Sequence, residues 1–257
     1  MIREYFRPTS LDEAISLLVE EGKKRKPLGG GTNLSRKRSG DFGVVDLQSA
    51  GLDQIITTNQ DIKCGAMSRL DMLLAHPQVN DEIKRAARID TAENIRNMAT
   101  LGGWLITSTG RSILSTVFLA LDATLTWAPG TETVSLGDWL PLRDTASPGV
   151  LMTEVSWFTK SHVAFEYVAR SPKDRPMLVV AVAQWGSGRT RVALGGFGSV
   201  PIIAMDGSDS NGVDIASRDA LYEADDQWAT AQYRREVAAK LALRCLERID
   251  ESKKKEV

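Results

Sequence analysis

Three consecutive glycines, Gly29-Gly30-Gly31, followed by Thr32-Asn33-Leu34, constrain this chain more than any other segment. Residues without Cβ let successive backbone N–H groups turn toward one point and let an anion come close, and Thr32 and Asn33 add side-chain donors. The run stands between two short strand-like segments, Lys26 to Leu28 and Val44 to Leu47, so it is expected on a connection between elements, where a ligand loop belongs. Three glycines alone favour a structural turn over a pyrophosphate cradle, and neither the GxGxxG nor the GK[ST] spacing of the common phosphate loops is present. A second stretch, Thr100-Leu101-Gly102-Gly103, follows Ile95 to Ala99 and precedes Ser108 and Thr109, again joining small residues to hydroxyls. Two such loops suit one diphosphate held between them.

The flanking pattern is mixed helix and strand. Ser10 and Glu13 form a capping box for a helix carrying Leu11, Ala14, Ile15, Leu17 and Leu18, closed by Gly22. Asp61 to Met67 reads as a strand, Ser68 and Asp71 offer a second capping box ahead of Leu70, Leu73 and Leu74, and Ile83 to Ile89 continues helical. Ala99 to Gly103 is expected as a connection, after which Ile113, Leu114, Val117, Phe118 and Leu121 recur at helical spacing. Ala123 to Ala128, a Pro129-Gly130 turn and Thr133 to Leu136 predict a hairpin, and Val150 to Trp157 a strand. Beyond about residue 160, Val163 to Val168, Met177 to Trp185 and Arg189 to Leu194 predict three antiparallel strands, reversed at Gly186-Ser187-Gly188. They pack on a terminal helix marked by Tyr233, Val237, Leu241 and Cys245. Residues 206 to 214 are expected as a surface loop and Lys253 to Lys255 as a frayed tail.

Composition excludes several functions. Thirty-two basic against 33 acidic residues give a net charge of -1, and without a basic block nucleic acid is a poor partner. The longest apolar stretches, such as Met177 to Trp185, are half a membrane span, and no signal-peptide core follows Met1, so a cytoplasmic protein is expected. Cys64 and Cys245 are far apart and His76 and His162 isolated, which leaves no metal cluster, iron–sulfur motif or catalytic triad to propose. Any redox group must be borrowed, and no catalytic acid or base is nominated.

The order of the segments FRPTSLDEAISLL, LGGGTNL, GAMSRL, IRNMATLGG and FLALDATL resembles the FAD-binding medium subunit of molybdenum hydroxylases, the xanthine dehydrogenase and carbon monoxide dehydrogenase family. It is most similar to the short bacterial xanthine-dehydrogenase-like or selenate-reductase FAD subunit. The resemblance spans residues 1 to about 195. It implies an α+β fold: a two-part FAD-binding domain of the vanillyl-alcohol-oxidase (PCMH) type over residues 1–158, with subdomains of about 1–55 and 56–158. A C-terminal domain over 159–250, an antiparallel sheet packed on helices, and a disordered tail over 251–257 complete it. It further implies FAD as cofactor, held by Leu28, Gly29, Gly30, Gly31, Thr32, Asn33 and Leu34 on one side and by Asn97, Thr100, Leu101, Gly102, Gly103, Trp104, Ser108 and Thr109 on the other. Leu151 and Tyr167 complete that set. The partners implied are a large subunit with the molybdenum cofactor and a small [2Fe-2S] subunit, with NAD(H) as a candidate acceptor.

Three positions depart from the family pattern. Trp104 stands where the family has the Asn of GGN, Ile113 where it has an Asp, and Tyr167 where a Lys lies near the flavin ring. An indole cannot reproduce a carboxamide's acceptor, and a phenol in place of a cation changes what stabilises a reduced flavin. A flavin-free assembly subunit and a stand-alone NADH-dependent flavin reductase therefore stay open as alternatives. A Gly30→Val change is expected to place a Cβ on the pyrophosphate and to spare the fold.

Overall fold

A computed structural model of the protein describes residues 1–35, 40–145 and 147–256, the side chain of Glu256 excepted. The chain divides into two compact units, each assembled from separated segments.

The first unit comprises residues 1–79, 91–107 and 124–156. It opens with β1 (Ile2–Phe6), α1 (Leu11–Val19), β2 (Arg25–Leu28) and β3 (Phe42–Asp46). The three strands form a parallel sheet in the order β1-β3-β2. Central β3 is buried along its whole length, which is why it reads as a continuous rather than alternating apolar run. Ala14, Leu11, Leu17 and Leu18 of α1 pack with Val45, Leu47, Met67 and Leu151. The predicted capping box forms, with Ser10 Oγ accepting from Glu13 N at 3.2 Å, but the Glu13 carboxylate reaches back to Thr9 N (2.9 Å) instead of Ser10 N.

The second sheet of this unit has the order β4-β5-β8-β6-β7, with β4 at Ile55–Thr57, β5 at Asp61–Gly65, β6 at Thr124–Ala128, β7 at Glu132–Ser135 and β8 at Leu151–Phe158. The predicted hairpin is β6 and β7, paired from Thr124↔Ser135 to Trp127↔Glu132. Short helices α2 (Leu70–Ala75), α4 (Glu93–Arg96), α5 (Leu101–Thr107) and α7 (Leu136–Trp139) connect the strands; α3 (Asp81–Asp90) and α6 (Ile113–Ala120) belong to the other unit. The second capping box is not made: the N-cap of α2 is Arg69, without a side-chain bond. Ser68 is fully buried, and Asp71 is drawn to the Arg69 guanidinium at 3.0 and 3.2 Å.

The second unit takes residues 80–90, 108–123 and 157 onward. Its antiparallel sheet has four strands, β12-β11-β10-β9, where three were expected: β9 (His162–Val168), β10 (Leu178–Gln184), β11 (Thr190–Gly195) and β12 (Ile202–Gly207). Leu178, Val180 and Val182 face the terminal helix α9 (Ala231–Glu256) through Ala238, Leu241, Ala242 and Cys245. The alternate residues Val179, Ala181 and Ala183 are equally buried because α6 packs on this sheet too. Every residue of α6 is buried. Its N-terminus is capped twice, by Ser112 Oγ accepting from Ser115 N (3.1 Å) and by Asp90 of α3 accepting from Ser112 Oγ (2.6 Å) and Leu114 N (3.1 Å). Past its C-terminus, Asp122 adopts a left-handed φ of 55° and receives Arg191 (2.6 Å) and Arg189 (2.8 Å), both of which also pair with Asp206.

Two expectations give way here. The loop expected at 206–214 is shorter, since β12 runs to Gly207 and α8 (Val213–Asp219) begins soon after. The tail expected from residue 251 is helical to Glu256, with Lys253, Lys254 and Lys255 in the last turn where cations complement the helix dipole; Val257 lies outside the described residues. Among the described residues no helix is long and apolar enough to cross a membrane.

Candidate cofactor site

The glycine run leaves β2 at Leu28, whose carbonyl accepts from Leu47 N at 3.1 Å, and turns sharply at Gly31, where φ is +71°. Beyond that turn Ser35 N donates to Gly31 O at 3.0 Å, closing the loop. None of the hydrogen bonds among the described residues uses the N–H of Gly29, Gly30, Gly31 or Thr32. Half-buried backbone donors rarely stay unpaired. Four in succession, each half-buried, constitute a cradle waiting for an acceptor.

Glycine is required here for close approach within the protein itself. A Cβ on Gly30 would overlap the carbonyl oxygen of Met98, and one on Gly29 would lie 2.8 Å from Thr100 Oγ1. The first loop is thus seated directly on the segment that leads into the second. This corrects the expected effect of Gly30→Val: the added side chain meets the Met98 backbone, not a ligand, so the fold is not spared.

The second glycine pair is not a loop. Leu101–Thr107 is helix α5, and its first amides are already engaged: Leu101 N on Ser68 O (2.9 Å), Gly102 N on Ala66 O (2.9 Å), Gly103 N on Thr100 Oγ1 (3.3 Å) and Trp104 N on Thr100 O (2.8 Å). Gly102 lets α5 press against β5's exit, since a Cβ there would stand 2.7 Å from that of Ala66. Leu101 is fully buried in the core, one turn from equally buried Leu105. What this segment offers is a smooth wall, not a second nest.

Two cavities meet at the glycine run. One, of about 260 Å³, is lined by Gly29 to Leu34, Thr100, Gly102, Gly103 and Leu151, together with residues the sequence reasoning did not nominate, chiefly Lys26, Leu47, Ala66, Met67, Ile106 and Met152. The other, of about 360 Å³, is polar and holds Arg7, Gln48, Asp53, Arg69, Asn97 and Met98. They share Gly29, Gly30, Met67 and Thr100. Ala66 and Met67 lie within the GAMSRL segment, so position in a motif was the signal that would have found them. Beneath the loop, buried Asp46 accepts from Gln48 N at 3.0 Å and from the Tyr5 hydroxyl, and this bond, with burial and the Asp46 charge behind it, pushes the Tyr5 phenol up.

The remaining nominated residues separate. Trp104, half-buried on α5, lines neither cavity. Ser108, Thr109 and Tyr167 belong to the second unit. There Ser108 is buried against Ser115 (2.7 Å), Thr109 is exposed and its carbonyl accepts from Ser112 N (3.0 Å), and the half-buried Tyr167 ring lies 6.4 Å from Phe165. Ile113, the departure from a family Asp, is a fully buried first residue of α6.

An anion cradle with an apolar cavity on one side and a polar one on the other fits a ligand with a charged centre and two dissimilar arms, which is the chemistry of a flavin dinucleotide. Residues 1–156 match the family described as FAD binding domain in molybdopterin dehydrogenase, and the chain belongs to that family, with FAD as its cofactor. Among its relatives, the glyceraldehyde dehydrogenase medium chain of Sulfolobus acidocaldarius is 27% identical over 275 residues, covering 95% of this chain and 97% of the relative. The nicotinate dehydrogenase FAD-subunit of Eubacterium barkeri is 30% identical over 170 residues, covering 59% and 57%. The fold is shared with a chain of quinoline 2-oxidoreductase from Pseudomonas putida 86, with a TM-score of 0.78 at 20% identity and 98% of each chain covered.

Proposed function

We propose that this chain carries the FAD of a molybdenum hydroxylase assembly in the cytoplasm, standing between the iron–sulfur centres of a small subunit and a soluble acceptor such as NAD. The large subunit of that assembly would hold the molybdenum cofactor and bind the substrate. The single observation behind the reading is the unpaired row of N–H groups from Gly29 to Thr32, set where two cavities meet. FAD bound there supplies the redox chemistry, two-electron on one side and one-electron on the other. The chain's own part is to bind and orient: amides of Gly29 to Thr32 with Thr32 and Asn33 on the diphosphate, Leu47, Leu151 and Met152 against an apolar arm, and Asn97 and Thr100 toward a polar one. Trp104, Ser108, Thr109 and Tyr167 remain proposed contributors from the resemblance alone. In domain terms, residues 1–158 are read as the flavin-binding part and 159–250 as the C-terminal part.

The test is flavin analysis of the purified chain. Visible flavin absorption, and one FAD released per chain on denaturation, are expected; a colourless chain that takes up no added FAD would sink the reading. The same chain purified with its partner subunits should pass electrons from their reduced iron–sulfur centres to NAD. Reduction of other acceptors but not NAD would remove NAD alone.

A further inference from the structure

In the second unit, Trp228 is 39% exposed and two guanidinium groups lie over its indole, Arg111 at 4.6 Å and Arg170 at 4.5 Å from the ring centroid. Arg111 is fixed in place by donating to the carbonyls of Pro176 (2.8 Å) and Arg175 (2.6 Å). The loop between Arg170 and Arg175 adds exposed Lys173 and, beside it, exposed Asp174, which leaves the group with an excess of positive charge. The one carboxylate at the centre of the group, Asp226, is already taken by fully buried Arg234 (2.8 Å) and by the amides of Trp228 and Ala229. Among the described residues, none of Arg111, Arg170, Lys173 and Arg175 has a carboxylate within ion-pair distance.

Such a group is unfavourable in the isolated chain. Burial holds the Arg111 guanidinium below its ordinary value, Asp226 pulls it back up, and the charges of Arg175, Arg234 and Arg170 push it down again. Like charges are not held together on a rigid surface without cost, and in a chain of net charge -1 this is a local excess, not a general one. None of these residues lines either cavity at the glycine run. An exposed tryptophan among arginines, one of them anchored to two backbone carbonyls, is the composition of a protein–protein hot spot, and ordering it beforehand lowers the entropy lost on contact.

We propose that Trp228 with Arg111, Arg170, Lys173 and Arg175 forms a docking surface for an acidic patch on a partner subunit of the assembly. The inference rests on the reading of this chain as one subunit of a complex, but not on flavin binding. Its test uses the full chain co-expressed with its molybdenum and iron–sulfur partner chains, with assembly followed by gel filtration and by titration at low and high salt. Lys173→Glu combined with Arg175→Glu should weaken assembly by about tenfold or more at low salt and by much less at high salt, while FAD content stays as in the unaltered chain. Lys173→Gln should leave the thermal midpoint of the isolated chain no lower than before, because it removes repulsion and no partner. Unchanged assembly at both salts, a lowered midpoint, or no assembly with the partner chains would each overturn the proposal. So would binding of a DNA duplex by the isolated chain that the double variant abolishes, which would assign the patch to nucleic acid. Loss of FAD with assembly intact would count against the cofactor reading and leave this one standing.

Discussion

Gly30 lies so close to the backbone of Met98 that a single added carbon would occupy the space of the Met98 carbonyl oxygen. The first glycine loop is therefore shaped by contact with the segment entering α5, and its exposed amides follow from that packing. Gly30→Ala should destabilise the chain by about 3 kcal/mol or more, since neither backbone can yield cheaply. Gly31→Ala, where φ is +71° but the nearest atom is 3.6 Å from an added Cβ, should cost about 1 kcal/mol of backbone strain. Urea denaturation of both variants checks the contrast; equal losses would refute it.

Thr100 caps α5 through its hydroxyl, 3.3 Å from Gly103 N, and also borders both cavities. Thr100→Ala is expected to lose about 1 kcal/mol of stability and to weaken FAD retention, while Thr100→Ser keeps most of both. A serine variant as damaged as the alanine one would show that the methyl group, not the hydroxyl, matters.

Asp206 is held below the ordinary carboxylate range, first by its hydrogen bond from Arg189 and then by Arg191, against the opposing effect of burial. A carboxylate depressed in the folded state stabilises the fold above its unfolded value, and that contribution is lost as pH falls through the depressed one. Asp206→Asn should therefore cost about 1–2 kcal/mol at neutral pH, discounted because the side chain is 30% exposed. The difference should shrink progressively below about pH 4. Denaturation across that range reads it directly, and a difference constant with pH would exclude the mechanism.

Burial pushes the Cys64 thiol up to about 12 and the Cys245 thiol higher still. Both lie in packed interior, Cys245 directed at Val180 O. Neither should react with a thiol reagent in the native chain at neutral pH, and both should react once it is unfolded. Rapid native labelling of either would contradict its placement.

Much of this fold is legible in the sequence because its signals are local. Ser10 and Glu13 announce α1, Pro129-Gly130 announces the β6–β7 hairpin, and Gly186 to Gly188 the β10–β11 reversal, each through a backbone requirement of a few residues. Edge strands are harder. β1 is exposed at four of its five positions and β12 is mostly half-buried, so neither carries an apolar alternation. At the candidate site the glycine run is legible by its missing side chains, yet Ala66 and Met67 reach the same cavity from the end of β5 and Met152 from β8, a register that no spacing encodes. The reading of Thr100 to Gly103 as a loop fails because a glycine pair signals a turn by sequence, whereas here Gly102 serves close packing of a helix on Ala66.

The second unit draws its residues from three stretches of chain, 80–90, 108–123 and 157 onward. During synthesis, α6 leaves the ribosome with every side chain destined for burial, long before β10 and β11, which cover it, have been made. The nascent chain therefore carries an apolar helix that stays uncovered until its last third arrives. No stop codon placed after β8 should yield a soluble flavin-binding fragment, however natural that boundary looks on paper.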